Sequence, residues 1–332
     1  MQYIKNPNLI TIKSDYPGNK MFGNKFLNYQ KVPVPKFKDI WQWRFNQADA
    51  KKNKQEKPYK LDKINFTEMQ DKSQDKLVWF GHASFFITLN GKNILIDPVF
   101  DNVLFVKRLV GIPCKIKELN NIDYILISHS HFDHLDKKTL KKLCKQNPQV
   151  IIYCGLNHEN LFRKFGINNQ VVEAGWYQQY PINLNDKIQF YFLPALHWSK
   201  RTLRDNNQRL WGSFGIKTDG CSLYFMGDSG YSPHFAEIGQ TLNGFDYCLL
   251  GIGAYSPRKI MQSSHLDPNE AVKAFHDLQG KNLVPMHYAT YDLADEPLGE
   301  PIQIMHELNA KKQINGTLLA PKVGEIVYLC SN

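Results

Sequence analysis

The stretch ISHSHFDHLD, residues 127–136, places three histidines and one aspartate between His129 and His134. The chain has 11 histidines in 332 residues, so a random window of this size would hold roughly 0.2 of a histidine. Neutral imidazoles and carboxylates are ligands that zinc and similar metals accept. Four such side chains in one tight loop cannot easily all reach one ion, but they could serve two neighbouring ions. The stretch therefore predicts a metal site, most simply a dinuclear one.

Two adjacent metals need further ligands, and the downstream sequence offers three. They are His197 in LPALHW, Asp228 in FMGDSG and His287 in VPMHY. Each follows an apolar run, so a strand would deliver it to the edge of a sheet. Two alternatives remain open: a histidine-rich surface loop without metal, and a single-metal structural site. Structural zinc sites are commonly closed and cysteine-rich, and the six cysteines here form no C-x-x-C pair.

Strand-like and helix-like segments mix along the chain from Leu77 onward. LVWFGHASFFITLNGKNILIDPVF contains the hairpin signal Asn90-Gly91 between alternating apolar residues. IDYILIS is a short apolar run that ends at the histidine cluster and predicts a buried strand. DPNEAVKAFHDLQG predicts a helix with Asp267 or its neighbour as cap and proline at its start. With no repeat and no linker in this part, one α/β domain over residues 77–332 is the economical interpretation.

Residues 1–76 are predicted to form a basic, irregular N-terminal arm that packs on this domain. They hold 16 Lys/Arg and 8 Asp/Glu, and so carry most of the net charge of +10. Such an arm attracts polyanions, although a solvated arm without a partner is the simpler interpretation. No apolar run reaches the length of a spanning helix, and the N-terminus lacks the apolar core of a signal peptide. We therefore expect a cytoplasmic protein.

The pattern H-x-H-x-D-H at 129–134, followed by His, Asp and His at later strand ends, resembles the metallo-β-lactamase superfamily. The resemblance implies an αββα sandwich with a dinuclear metal site at the sheet edge. It implies two Zn²⁺ per chain, with Mn²⁺ or Fe²⁺ as alternatives. It assigns the first metal to His129, His131 and His197, the second to Asp133, His134 and His287, and a bridging position to Asp228. Asp97, in LIDP, matches the acidic residue that orients the metal loop.

A narrower resemblance covers roughly residues 17–325. Segments from VWFGHASFFI to GAYSPR and ADEPLGEP are similar to the N-acyl-phosphatidylethanolamine-hydrolysing phospholipase D family. That family resemblance implies cleavage of N-acyl-phosphatidylethanolamine to N-acylethanolamine and phosphatidic acid by a metal-bridging hydroxide. It also implies a membrane phospholipid substrate and peripheral membrane contact, and a homodimer stays open. We expect the aromatic residues of the arm to border an apolar groove beside the metals: Phe22, Phe26, Trp41 and Trp43.

The same resemblance suggests further site residues. Asp133 and His265 are the catalytic candidates, with His265 donating a hydrogen bond to the phosphate or, alternatively, serving only its loop. Arginines in or beside matching motifs are candidates for binding phosphate oxygens, with surface ion pairs as the alternative: Arg201, Arg204 and Arg258. Tyr231 and Tyr255 are candidates for the pocket wall, with aromatic packing as the alternative. His82, in FGHAS, is expected to lie near the site with a structural role.

Three other functions compete with a lipid phosphodiesterase. A lactonase or another ester hydrolase would share every metal ligand, so the ligands cannot separate these activities. A nuclease or nucleic-acid-binding protein would suit the basic charge, but the sequence has no RNA-processing signature and no aromatic–basic repeat. We therefore expect no nucleic-acid partner. A non-catalytic scaffold is the weakest hypothesis, because a complete set of seven candidate metal ligands is costly to keep by accident.

Overall fold

Two mixed β-sheets lie face to face in the structure, a computed structural model that describes residues 1–30, 37–45, 48–69, 71–182 and 187–330. The first sheet has seven strands in the order β10-β9-β8-β7-β6-β5-β18. The second has eight strands in the order β17-β16-β15-β14-β13-β12-β11-β2. A small sheet of three strands, β1-β3-β4, lies at the N-terminus. The elements of the N-terminal region are β1 (Gln2–Ile4), β2 (Ile10–Thr11), β3 (Asn19–Phe22), β4 (Lys25–Phe26), α1 (Phe37–Phe45) and α2 (Ala48–Glu56).

The remaining elements follow the chain in two halves. The first half supplies β5 (Lys76–Gly81), β6 (Ser84–Leu89), β7 (Lys92–Ile96), a 3₁₀ turn (Ile116–Glu118), β8 (Tyr124–Ile127), α3 (Lys137–Gln146), β9 (Ile151–Gly155), α4 (Glu159–Lys164) and β10 (Val171–Ala174). The second half supplies β11 (Gln178–Gln179), β12 (Gln189–Leu193), β13 (Ser213–Lys217), β14 (Ser222–Phe225), α5 (His234–Leu242), β15 (Phe245–Gly251), α6 (Arg258–Met261), α7 (Pro268–Asp277), β16 (Gly280–Met286), α8 (Glu300–Ala310), β17 (Thr317–Leu318) and β18 (Ile326–Tyr328).

Side chains alternate between the two faces of each sheet, and this alternation separates the core between the sheets from the core beneath the helices. In β8, Tyr124 and Leu126 point into the core between the two sheets, whereas Ile125 and Ile127 pack on the opposite face with α3 and α4. In β14, Phe225 meets Phe85 of the other sheet, and its neighbour Tyr224 faces α5. Helices therefore cover both outer faces of the sheet pair, and the predicted αββα sandwich is confirmed.

Local signals in the sequence account for several element boundaries. Asn90 and Gly91 both adopt positive φ, 46° and 70°, and join β6 to β7 as the hairpin signal predicted. Asp267 caps α7 by accepting a hydrogen bond from the backbone N–H of Glu270 at 2.9 Å. No helix among the residues that the structure describes is long and apolar enough to cross a membrane.

The N-terminal residues are more regular than the predicted irregular arm. They contain four short strands and two helices, and β2 pairs with β11 as an edge strand of the eight-stranded sheet. Hydrogen bonds also tie this region to the site, since the amide of Asn28 donates to the His197 carbonyl at 2.8 Å. Residues 31–36, 46–47 and 70 of the predicted arm lie outside the described residues.

Candidate metal centre

The predicted ligands all follow strand ends at one edge of the sandwich. In the first sheet, Asp97 comes directly after β7, and His129 comes two residues after β8, which runs parallel to β7. In the second sheet, Asp228 and His287 follow the parallel strands β14 and β16. Because parallel strands end at the same edge, the polar side chains after them meet there. The topology explains how residues far apart in sequence form one cluster.

A first group combines three histidines with Asp228, and its possible ligand atoms all lie within 4.8 Å of one another. His131 Nδ1 lies 2.8 Å from His129 Nε2 and 3.1 Å from His197 Nε2. The opposite nitrogen of His197, Nδ1, donates to the Ser264 carbonyl at 3.1 Å, which leaves a lone pair on Nε2. Three ring nitrogens that converge in this way cannot satisfy one another with hydrogen bonds alone, and a metal ion would accept all three lone pairs.

A second group contains the remaining predicted ligands, Asp133, His134 and His287, together with His82. Asp228 contacts both groups. Its Oδ2 lies 3.2 Å from His134 Nε2 and 3.6 Å from His197 Nε2, and its Oδ1 lies 3.1 Å from His287 Nε2. All seven residues that the sequence singled out as metal ligands are therefore together, with Asp228 between the two groups.

The chemistry of the buried atoms fits a metal. Asp228 Oδ1 and the Nε2 atoms of His134 and His287 are buried, and none has a partner with hydrogen-bond geometry among the described residues. Buried polar atoms without partners cost free energy, so a cluster of them requires an explanation. Divalent cations held by these nitrogen and oxygen atoms would supply the missing partners. The described residues thus form a candidate metal centre.

His82 is a member of the cluster that sequence reasoning underestimated. Its Nε2 lies 2.9 Å from Asp133 Oδ2, and its ring centroid lies 4.0 Å from that of His287. The residue adopts a left-handed φ of 54°, which is uncommon for histidine and directs it off the end of β5. Burial lowers the pKa of His82 to about 3, so the neutral ring can donate to the Asp133 carboxylate. Its position directly after a buried strand was the signal that could have revealed it.

Asp97 supports the metal loop from beneath. Its side chain is fully buried and accepts hydrogen bonds from the Ser128 backbone N–H and from His134 Nδ1, both at 2.8 Å. It also accepts a hydrogen bond from the Ser128 hydroxyl at 2.5 Å. Because the Nδ1 proton of His134 is held by Asp97, the Nε2 lone pair of His134 faces the centre of the cluster.

The first histidine group is neutral at pH 7. Burial lowers the pKa of His131 to about 4 and holds the pKa values of His129 and His197 well below their usual range. Burial penalises the charged form of an imidazole, and neighbouring histidines add to the penalty on His129. These three rings are therefore in the protonation state that binds a metal.

The second group is held in a different state by its carboxylates. Burial pulls the pKa values of His134 and His287 down, but the Asp228 and Asp133 carboxylates outweigh it. They raise the pKa of His134 well above its usual range and that of His287 to about 9. The same histidines hold the pKa values of both carboxyl groups well below their usual range, although burial acts in the opposite direction. Without a metal, protons occupy this half of the cluster.

His265 lies closer to the cluster than predicted. Its Nδ1 is 3.9 Å from Asp228 Oδ2, and its ring centroid is 5.4 Å from those of His197 and His287. With Asp228 and His287 it forms a third set of possible ligand atoms. Burial lowers its pKa to about 4, so the ring is neutral at pH 7.

Two of the three arginines proposed as phosphate ligands, Arg201 and Arg258, make hydrogen bonds inside the protein. Arg201 Nη1 donates to the carbonyls of Leu135 at 2.7 Å and Ser130 at 3.0 Å, and the guanidinium lies 4.0 Å from the Phe132 ring centroid. Burial lowers the pKa of Arg201 to about 10, which leaves it charged at pH 7. Arg201 therefore braces the metal loop, and because it also lines the cleft beside the cluster, its role as a phosphate ligand stays a prediction.

Arg258 supports the loop of His265 in a similar way. Its Nη1 donates to the His265 carbonyl at 3.0 Å and its Nη2 to Glu270 Oε2 at 2.6 Å. Arg204 is exposed, and the hydrogen bonds that the structure describes for it involve its backbone: the N–H donates to the Thr202 hydroxyl at 3.4 Å, and the carbonyl accepts from Gln208 Nε2 at 2.8 Å. The sequence could not distinguish a guanidinium that binds substrate from one that holds a loop.

The two tyrosines proposed for the pocket wall also make internal contacts. The Tyr231 hydroxyl donates to Asp277, and its ring packs against Phe235 of α5. The Tyr255 hydroxyl donates to Glu300 Oε1 at 2.6 Å. Neither tyrosine is among the residues that line the cleft at the metal centre, and a role for either in binding substrate stays a prediction.

A cleft of about 780 Å³ opens above the cluster. Asp133, Asp228 and four histidines form its base, and its walls are largely apolar. The apolar wall residues are Val103, Leu104, Phe132, Trp198, Leu203, Ala254, Met261 and Leu293. None of the four arm residues expected beside the metals lines this cleft, and Phe26 is buried in the core. The apolar wall exists, but other loops build it.

Comparison with known proteins agrees with this geometry. The sequence profile described as "Beta-lactamase superfamily domain" matches residues 92–288. The chain is 33% identical over 263 residues to the Caenorhabditis elegans protein named N-acyl-phosphatidylethanolamine-hydrolyzing phospholipase D 1, covering 75% of this chain and 74% of that protein.

Two further matches are broader. A Caldivirga maquilingensis protein named UPF0173 metal-dependent hydrolase is 33% identical over 65% of this chain and 82% of its own length. Among solved structures, the metallo hydrolase Igni18 from Ignicoccus hospitalis superposes with a TM-score of 0.60 at 22% identity, covering 78% of this chain and all of that one. The structural match supports the fold, and the sequence matches support a metal-dependent hydrolase.

Proposed function

Because the chain belongs to the metallo-β-lactamase superfamily, in the family of the N-acyl-phosphatidylethanolamine-hydrolysing phospholipases D, we propose that it is a phosphodiesterase of the phospholipase D type. Its substrate would be N-acyl-phosphatidylethanolamine, and its products N-acylethanolamine and phosphatidic acid. The observation that carries the proposal is the position of Asp228, between two groups of metal-ligating side chains at the base of an apolar cleft. That arrangement suits a phosphate headgroup with acyl chains attached.

We further propose that the centre holds two divalent metals, most simply Zn²⁺, with Mn²⁺ or Fe²⁺ as alternatives. His129, His131 and His197 would hold one, Asp133, His134 and His287 the other, and Asp228 would serve both. Imidazole and carboxylate donors without thiolates suit all of these metals. When bound, such metals make water acidic enough to attack near neutral pH and offset the negative charge of a phosphodiester.

The chain's own residues would orient the reactants. A water oxygen attacks phosphorus, the bond from phosphorus to the ethanolamine oxygen breaks, and a proton reaches the leaving oxygen. Asp133, which lines the cleft and is fixed by His82, is the carboxylate that would orient the attacking water. Neutral His265, which also lines the cleft, would donate a hydrogen bond to a phosphate oxygen as charge builds there.

The apolar wall of the cleft would accommodate the lipid. Leu104, Trp198 and Leu203 line it with exposed side chains, and Phe132 and Leu293 line it with half-buried ones. A cleft with this lining favours substrates with long hydrocarbon chains over small polar esters. The substrate would come from a membrane surface, so we propose that the protein contacts the membrane peripherally.

A lactonase or another carbon-ester hydrolase is the second candidate. The observation that favours it is the Caldivirga relative, which matches at the same 33% identity and is named only as a metal-dependent hydrolase. The same ligand set would serve either reaction, so only the products separate the two.

The test uses chain loaded with zinc and assayed on N-acyl-phosphatidylethanolamine in mixed micelles and, in parallel, on an N-acyl lactone. We expect ³¹P NMR to show phosphatidic acid, and mass spectrometry to show N-acylethanolamine. Asp228→Asn should abolish the product, whereas Asp219→Asn, in an exposed hairpin turn, should not. If the chain opens the lactone and forms no phosphatidic acid, it is a lactonase or another carbon-ester hydrolase, and the phosphodiesterase proposal is wrong.

A further inference from the structure

Two loops that face each other across the cleft carry apolar side chains into solvent. We call residues 103–109 and 198–204 together the cleft rim. Leu104 and Leu203 line the cleft opening, and they are 62% and 93% exposed. Phe105 is fully exposed, and Trp198 is 40% exposed. Single exposed apolar residues are ordinary, but three that line one cleft, with Phe105 next to Leu104 in the chain, indicate a surface that contacts another apolar phase.

The first loop of the rim is a tight, anchored turn. Val103 and Val106 exchange two backbone hydrogen bonds, at 2.9 and 2.8 Å, so Leu104 and Phe105 form its tip. Leu104 adopts a φ of 51°, a conformation that turns normally reserve for glycine or asparagine. Arg108 fixes the base of the turn by donating to the Val110 carbonyl at 2.7 Å and the Val99 carbonyl at 2.6 Å. The apolar tip is therefore held away from the core by a rigid support.

The second loop is braced in the same manner. Asp205 Oδ1 accepts hydrogen bonds from the backbone N–H groups of Thr202 at 2.7 Å and Arg201 at 3.0 Å. The Arg201 side chain reaches back to the carbonyls of the metal loop. Leu203 thus projects into solvent from a loop whose flanking residues are held by hydrogen bonds, and its side chain does not pack in the core.

Charge around the rim points to the chemistry of the partner. Lys107, Lys200 and Arg204 lie on the same two loops, and Lys107 and Arg204 are exposed. The acidic Asp205 of the second loop is neutralised by its ion pair with Arg209. A ring of apolar tips with a positive surround matches the surface of an anionic bilayer, where acyl chains lie beneath negative headgroups.

We propose that the cleft rim docks on an anionic phospholipid bilayer, with Leu104, Phe105 and Leu203 inserted below the headgroups. The cleft then opens directly into the lipid, and a substrate molecule reaches the metals without crossing water. This inference rests on the proposed function in that the substrate is a membrane phospholipid. The docking itself can be measured without turnover.

The experiment is vesicle co-sedimentation, with phosphatidylcholine vesicles that contain or lack phosphatidylglycerol. We expect the metal-loaded chain to bind more tightly when phosphatidylglycerol is present. Phe105→Ser and Leu203→Ser should each weaken binding about tenfold, because each removes an exposed side chain from a lipid phase. Lys107→Gln should weaken binding roughly fivefold, and only to the anionic vesicles. Metal content and thermal midpoint should stay unchanged, because these side chains are exposed.

The matched control is Tyr328→Ser. Tyr328 is 52% exposed, but it pairs with Lys76 at the start of β5, at the opposite end of that strand from His82. This variant should bind vesicles and turn over substrate as the parent chain does. Equal losses in Tyr328→Ser and Phe105→Ser would overturn the docking surface, because they would show that any exposed aromatic residue contributes.

Two other outcomes would also overturn the inference. If sedimentation velocity shows a dimer that Phe105→Ser and Leu203→Ser dissociate, and vesicle binding is weak, the rim is an interface between two copies of the chain. If all rim variants bind vesicles like the parent, another face contacts the membrane. Vesicle binding that depends on the rim, combined with no phosphatidic acid in the activity assay, would preserve the docking surface and reject the proposed reaction.

Discussion

Asp97 Oδ2 accepts a hydrogen bond from His134 Nδ1 at 2.8 Å, and both side chains are completely buried. This contact fixes which nitrogen of His134 carries the proton, and so which nitrogen can bind a metal. Asp97 has a φ of 40°, which asparagine tolerates as well as aspartate, so Asp97→Asn leaves the backbone unstrained. We expect that variant to bind zinc roughly 10- to 100-fold more weakly. Competition with a coloured chelator measures the affinity, and an unchanged value would show that Asp97 serves only the fold.

Asp228→Asn should lose metal and activity together. The Asp228 carboxylate is the group that contacts both sets of ligands, and an amide would remove the negative charge that would serve both metals. Metal analysis after gel filtration and the phospholipid assay give the two readings. A parental rate in this variant would end the dinuclear proposal.

His265→Ala should separate metal content from turnover. If His265 donates to the phosphate mainly in the transition state, its loss costs roughly 100- to 1000-fold in kcat with little change in KM. His306→Ala, on the exposed face of α8, is the control. His265 lies 3.9 Å from Asp228, so a loss of metal in the variant would instead identify His265 as a ligand.

Metal binding at pH 7 should release about two protons from the histidines of the metal-free chain, in addition to any proton lost by metal-bound water. His134 and His287 both hold protons there, since the Asp228 and Asp133 carboxylates outweigh burial and raise the pKa of His287 to about 9. Above pH 9 His287 has already lost its proton, so metal binding should release one proton fewer. A further rise in pH should then no longer increase the apparent metal affinity through His287. Calorimetry in buffers of different ionisation enthalpy counts the protons, and zero release at pH 7 would contradict the proposed protonation state.

The metal-free chain should lose stability as the pH falls below about 6.5. Burial lowers the pKa of His158, which lies outside the metal cluster, to about 3. The unfolded chain therefore binds a proton at His158 that the folded chain rejects, and the free energy of unfolding decreases as pH falls from about 6.5 towards 3. The slope from this group is about 1.4 kcal/mol per pH unit. Urea denaturation at several pH values should give a shallower slope for His158→Gln, and an equal slope would contradict the burial argument.

The sequence predicted which seven side chains come together in the candidate metal centre, because strand ends are local features. An apolar run followed by His or Asp specifies both the strand and the side chain at its end, as at His197, Asp228 and His287. Parallel pairing of the strands then brings these ends together without further information. The partners of Arg201, Arg258 and His82 could not be predicted, because they are backbone carbonyls or carboxylates that only the tertiary structure brings near, although His82 was expected to lie near the site.

The N-terminal region shows the same limit for secondary structure. The strand β2 has two residues, Ile10 and Thr11, and exists because it pairs with Gln178 and Gln179 far along the chain. Two residues are too few to show the alternation of apolar and polar side chains from which a strand is predicted. The apolar tip of the rim was likewise not predicted from the sequence. The pair at residues 104–105 follows a valine, so without knowledge of the turn it resembles part of a core segment.

Arg201 would make the two proposed binding equilibria, that of the metals and that of the bilayer, depend on each other. Its backbone belongs to the loop that carries Leu203, while its side chain holds the carbonyls of Ser130 and Leu135 on either side of the metal ligands. A bilayer that restrained the loop would also restrain those carbonyls, and a bound metal would restrain the loop in return. Thermodynamic reciprocity would then require that vesicles tighten metal binding by the same factor by which metal tightens vesicle binding. An enzyme coupled in this way would hold its metals most firmly at the surface where its substrate is found.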